Sequence, residues 1–330
     1  MHERDYRIDN LRCLLIVLVV FCHLLVVMSA GPLTGVLYQV IYVFHMPAFV
    51  FVTGYFARWR PQRVARGLLL PYVEFQVLSC LWGNLTSGRA WWHDLTLLQP
   101  RWTLWYLLAC VIWYATTPLL ARASTPRVRL AVIAGAFVVA IAIGWLPWVG
   151  GILDASRLIV LYPFFCGGFY AGKAELSARI DKLNPKRWAR LCIACATLVA
   201  ALMALHYAHG ACPKEVLYRD TPYANTWECE ARIIMQLAAS ACCAMLILVT
   251  PSRHLPLASM VGRNTISVYL LHPWCIRVLR LVLPLPGGEI LHVIAALSLA
   301  IMLSIALGTD RVCMAFRYVF CGGWLDRQAA

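Results

Sequence analysis

Apolar residues in this chain fall in long blocks separated by short polar breaks. Ten blocks stand out, at roughly 11–30, 36–57, 67–83, 103–121, 129–146, 156–173, 190–208, 232–250, 259–283 and 288–308. Each is close to the ~20 residues needed to cross the hydrocarbon core of a bilayer as a helix. The pattern predicts an all-α polytopic bundle of about ten spanning helices, read as one integral-membrane unit over 1–330. The first block follows the polar stretch Met1–Asn10 and reads as a retained signal anchor.

Composition supports this reading. Of 330 residues, 62% are hydrophobic and 13% charged, about half the charged share of a soluble domain. Mean hydropathy is +0.71. The net charge of +14 raises nucleic acid as a partner, but the cations lie in short clusters between apolar blocks and form no basic-aromatic module. They are better read as topology signals. With the N-terminus cytoplasmic, the outer segments hold only Arg89, Arg101, Arg157, Lys214, Arg219, Arg232, Arg277 and Arg280 of the 29 Lys and Arg. The positive-inside rule therefore predicts both termini in the cytoplasm. The largest extracytoplasmic loop is then 209–231. Its Cys212 and Cys229 form either a disulfide or two free thiols. Most other cysteines lie inside apolar blocks, as small hydrophobes do, and no metal site is expected.

Ionisable groups inside spans are costly and are functional candidates. His23 falls near the expected middle of the first block, His45 in the second, Glu74 in the third and His272 in the ninth. A buried histidine can equally be a satisfied structural group, and Glu74 can cap or pair with an arginine. Asp9 and Arg12, three apart, can pair on one helix face. Arg63 and Arg66 have the same spacing and would present two guanidinium groups at the cytoplasmic surface, suited to phosphate or to anionic lipid heads. The outer aromatics Trp91, Trp92, Trp102, Tyr218, Tyr223 and Trp227 read mainly as an interfacial belt.

Six stretches in order resemble acyltransferase family 3, whose members modify cell-envelope sugars. Arg7-Ile8-Asp9-Asn10-Leu11-Arg12 with an apolar run to His23 is similar to the family's opening. Phe44-His45-Met46-Pro47, continuing to Thr53-Gly54-Tyr55-Phe56, resembles the fucose 4-O-acetylase-like branch. Arg63-x-x-Arg66 before Pro71-Tyr72, Leu104-Trp105-Tyr106-Leu107, Arg157 with Pro163-Phe164-Phe165 and Gly167, and Gly262-Arg263-Asn264 through His272 complete the set. The chain departs from the pattern at Cys13, Thr53 and Gly67, where glycine, serine and a hydrophobic residue are usual.

The resemblance implies acyl transfer from a cytoplasmic acyl-CoA, usually acetyl-CoA, as co-substrate, with no permanently bound cofactor. The acceptor would be a hydroxyl of an extracytoplasmic or lipid-linked saccharide, and the setting a bacterial plasma (inner) membrane. It puts His23, Asp9 and Arg12 in catalysis and Arg63 and Arg66 on the donor's phosphates. His45, Glu74, His272 and Asn264 would line the site. His23 would act as general base or as a transient acyl carrier. A proton-coupled transporter or flippase for an envelope precursor also fits buried histidines, although no pair of similar halves is visible. A non-catalytic scaffold is the third reading.

Overall fold

The computed structural model describes residues 5–29, 31–87, 96–146, 149, 152–174, 176–183, 186–207, 222–280 and 287–322. Among these the chain is helical and forms no strand. The helices are α1 (Tyr6–Met28), α2 (Pro32–Phe56), α3 (Pro61–Val64), α4 (Leu70–Ser87), α5 (Trp105–Leu120), α6 (Pro126–Ala142), α7 (Ala155–Lys173), α8 (Leu176–Leu183), α9 (Arg187–Tyr207), α10 (Thr226–Val249), α11 (Pro256–Arg263), α12 (Thr265–Leu279), α13 (Glu289–Leu307) and α14 (Asp310–Phe320). All ten apolar blocks fall on helices. Seven helical stretches are long and apolar enough to cross a membrane, and Cys192–Ala204 and Thr265–Leu279 are shorter apolar helices.

α1 is the hub. It packs on α2, α11, α12 and α13, and most of its length is buried. α6 and α13 lie at the other extreme. Leu130, Val138, Ile294 and Met302 on them are exposed, as expected of faces turned to lipid rather than to protein. Contact with hydrocarbon costs these side chains nothing, so an apolar exterior is stable there.

Without a hydrophobic driving force between helices in lipid, close packing must come from small residues. The α2–α7 seam shows this. A Cβ on Gly54 would collide with the Phe165 carbonyl, one on Gly168 with that of Phe51, and one on Gly172 with that of Tyr55. The glycines let the two backbones meet directly.

The N-terminal motif has a structural use. Arg7, 1% exposed, donates to the Ile247 and Thr250 carbonyls at 3.0 and 2.7 Å and also pairs with Asp181. Asn10 Nδ2 donates to the Pro251 and Arg253 carbonyls, both at 3.0 Å. These carbonyls belong to the end of α10 and the segment after it, where no further helical turn supplies partners. The start of α1 thus ties down the end of α10.

Four expectations change. The ninth block is not one helix: it breaks at Asn264 between α11 and α12. α1 begins at Tyr6, ahead of its apolar run, because Asp5 caps it by accepting from the Ile8 amide. His23 therefore lies well past the helix midpoint, towards Met28. Arg63 and Arg66 do not share a regular α-helical face, since a π-helix over Ala65–Leu69 takes up Arg66. Its wider turn rotates a three-residue spacing away from alignment. Both arginines are exposed. Cys229 is half-buried in the first turn of α10, and Cys212 lies outside the described residues.

Candidate active site

The end of α1 brings His23 against α12, where His272 sits at the helix centre. His23 Nδ1 and His272 Nε2 are 2.8 Å apart, with the rings stacked at 5.1 Å between centroids. His272 Nδ1 lies 2.9 Å from the Val268 carbonyl. A carbonyl only accepts, so His272 carries its proton on Nδ1 and offers a lone pair at Nε2. His23 must then donate from Nδ1, which leaves its own Nε2 unprotonated. One helix carbonyl thereby fixes the tautomers of two histidines in series, which leaves His23 with a lone pair suited to a base or nucleophile.

His23 lines a cavity of about 430 Å³. α2 contributes Tyr38, Tyr42 and His45, which at i, i+4 and i+7 share one helix face. His45 Nδ1 is 2.9 Å from the Ile41 carbonyl, so by the same argument its Nε2 is also a lone pair. The Tyr42 ring meets His45 edge-on at 4.7 Å. The remaining wall includes Trp102, Tyr269, Asp154, Arg157 and Arg280. Asp154 and Arg157 pair at 3.6 Å, and Arg157 lies over the Trp105 ring. The cavity sits where α1 and α12 end and α2, α5 and α7 begin.

The backbone is strained at the same place. Among the described residues, three that are not glycine have positive φ: Trp102 (49°), Leu153 (61°) and Asp154 (51°). Each such placement costs about 1–3 kcal/mol and persists where the surroundings require it. Trp102 and Asp154 both face the cavity, and the Trp102 ring packs 5.4 Å from that of His23.

The structure brings together His23, His45 and His272. It does not bring Asp9 and Arg12 to them. Arg12 is eleven residues before His23, about 16 Å along the helix. There it donates to Thr265 Oγ1 at 2.6 Å, lies over the Phe56 ring and interacts electrostatically with Asp9, Tyr106 and Tyr114. A polar thread connects the two places. Thr53 bonds to Tyr106, the rings of Tyr106 and Tyr269 are 5.5 Å apart, and Tyr269 lies 6.3 Å from His272. Asn264 is structural: its amide donates to the Gly308 carbonyl at 2.9 Å and to Asp310 at 2.7 Å, bracing the α11–α12 break. Glu74 is half-buried on α4, outside the cavity lining, with Oε2 lacking a hydrogen-bond partner.

Trp102, expected in the interfacial belt, lines the cavity, as do Tyr38, Tyr42, Asp154 and Arg280, for which the sequence predicts no role. The heptad-like spacing of Tyr38, Tyr42 and His45 was a usable signal. Asp154 and Arg280 had none, because their neighbours come from distant helices. Trp91, Trp92 and Tyr218 lie outside the described residues.

The helices form a polytopic bundle in which one imidazole of the hydrogen-bonded pair, His23, faces a polar-aromatic cavity. The class of protein is shown by comparison: the model of acyltransferase family 3, described as an acyltransferase domain, matches residues 5–309. The chain belongs to that family and is a multi-pass membrane acyltransferase. Neither a curated protein nor a solved structure matches it.

Proposed function

We propose that this protein moves an acetyl group from acetyl-CoA, supplied at the cytoplasmic face of a bacterial plasma membrane, to a hydroxyl of an extracytoplasmic or lipid-linked saccharide. The observation that carries the reading is the Val268–His272–His23 relay, which fixes a lone pair on a histidine that lines the cavity. His23 Nε2 takes the proton of the acceptor hydroxyl as its oxygen attacks the thioester carbonyl. The tetrahedral intermediate collapses, the C–S bond breaks, and the proton passes from His23 to the departing CoA sulfur. The same lone pair supports a route through an acyl-imidazole, marked by a burst of CoA before acceptor is added.

With the N-terminus inside, the cavity opens outward for the acceptor. Arg12 and the exposed Arg63 and Arg66 lie at the opposite end, where the donor's phosphates would be held. The polar thread Arg12–Tyr106–Tyr269 supports a path for the long pantetheine arm. Aromatic rings at Trp102, Tyr38 and Tyr42 suit the faces of a sugar.

The test is turnover and binding of acetyl-CoA by purified protein in detergent. His23→Ala is expected to abolish CoA release while binding persists. Arg63→Ala/Arg66→Ala is expected to weaken acetyl-CoA binding at least several-fold more than His23→Ala does. Failure of the folded wild type to bind any acyl-CoA would refute the enzyme reading and favour a transporter.

A further inference from the structure

The cavity mouth beside Trp102 holds more positive charge than the proposed reaction uses. Arg277, in the last turn of α12, lies with its guanidinium 4.4 Å from the Trp274 ring centroid and 5.7 Å from that of Trp102. Two indoles orient the planar group and leave its donor edge for a partner. Its Nη1 is buried and has no hydrogen-bond partner. Among the described residues, the charged groups acting on it are Arg101 and Arg280, both cations. Arg280 itself lines the cavity. Arg101 directly precedes Trp102, and its backbone amide is pinned by Gln76 Oε1 at 3.0 Å.

A cation in the last helical turn is favoured by the helix C-terminus, which carries about half a negative charge. That accounts for the charges of Arg277 and of Arg280 at the C-cap, but not for the buried Nη1 of Arg277. Under the proposed orientation Arg101, Arg277 and Arg280 are outer cations, in a chain that otherwise keeps most of its cations inside. A buried donor left without an acceptor costs about 1–3 kcal/mol, so Nη1 points to an anion that fills the place in the working protein.

We infer that Arg277 and Arg280 bind a phosphate group of the acceptor, so that the substrate is a phosphorylated saccharide held with its sugar ring in the cavity. Phosphate suits the cluster better than carboxylate, since its higher charge and three or more acceptor oxygens match several guanidinium groups. Trp102 touches both His23 and Arg277, so the anion sits one indole away from the reacting imidazole. The donor's phosphates are assigned to the other end of the bundle, by Arg12. The inference rests on the acetyl-transfer reading for what the ligand is, but not for whether phosphate binds.

The experiment uses the full chain in neutral detergent and two probes, N-acetylglucosamine 1-phosphate and the methyl glycoside of the same sugar. The phosphorylated sugar is expected to bind at least tenfold tighter, with the preference shrinking as salt rises. Arg277→Gln/Arg280→Gln is expected to remove the preference and leave acetyl-CoA binding unchanged, and Arg277→Lys to keep part of it. Equal binding of the two sugars overturns the inference. So does a monodisperse double variant that still binds acetyl-CoA and retains the preference. Loss of acetyl-CoA binding in the double variant also overturns it, by giving the arginines to the donor. A bilayer phosphate is the other source of the same chemistry. If nanodiscs of phosphatidylglycerol abolish sugar-phosphate binding that nanodiscs of phosphatidylcholine permit, the occupant is a lipid headgroup and the inference fails. A sugar-phosphate preference in a protein that does not turn over acetyl-CoA would leave this site standing and remove the enzyme reading.

Discussion

Replacing His272 by Phe tests the relay most directly. The ring is fully buried, and phenylalanine fills similar volume without a lone pair. His23 Nδ1–H then loses its acceptor, now 2.8 Å away. A buried donor left unpaired costs about 1–3 kcal/mol. His23 escapes that cost by turning its ring or moving its proton to Nε2, and either change removes the lone pair from the cavity. If the cost of restoring the productive tautomer is about 2–3 kcal/mol, kcat falls about 30- to 150-fold. The acetyl-CoA KM is expected to stay within about twofold, since the donor end proposed at Arg12 is distant, and a kcat loss at constant KM is what a purely transition-state defect gives. His272→Gln places an amide oxygen near the lost acceptor and recovers part of the rate. The assay should measure CoA chromatographically, because 14 cysteines would consume a thiol reagent. Wild-type kcat in His272→Phe would refute the argument. So would a His272→Gln variant that is no better than His272→Phe while both are folded.

Two further substitutions examine the scaffold. Gly168→Val places its side chain against the Phe51 carbonyl at the α2–α7 seam; overpacking of about 1–3 kcal/mol or more should lower the Tm in detergent by several degrees, whereas Gly135→Ala, with nothing within 4 Å of its Cβ, should leave it unchanged. Arg7→Ala strands the Ile247 and Thr250 carbonyls, costing about 1–3 kcal/mol for each one left dry. Its Tm should fall while the acetyl-CoA KM of the folded fraction stays at the wild-type value; a changed KM at wild-type Tm would instead place Arg7 at the donor.

Block length and composition determined the helical, membrane-spanning character of the chain, because in hydrocarbon each helix satisfies its own backbone and needs only about 20 apolar residues to do so. The ordered motifs determined the family, and three histidines inside apolar blocks were legible as costly groups. Tertiary structure decided which of these groups lie together. His23 and His272 are 249 residues apart and meet only because α1 packs on α12. Asp9 and Arg12, close to His23 in sequence, are held about 16 Å or more away by the rise of the helix they share. Asn264 and Arg7, prominent in the motifs, brace helix ends, which appears only when their carbonyl partners are in place. The arginine cluster at Trp102 joins the segment before α5 to the end of α12, and no local spacing announces it. Sequence periodicity reports what one helix can bury. Which buried groups share a site depends on the neighbours across each helix face, and those are set by packing.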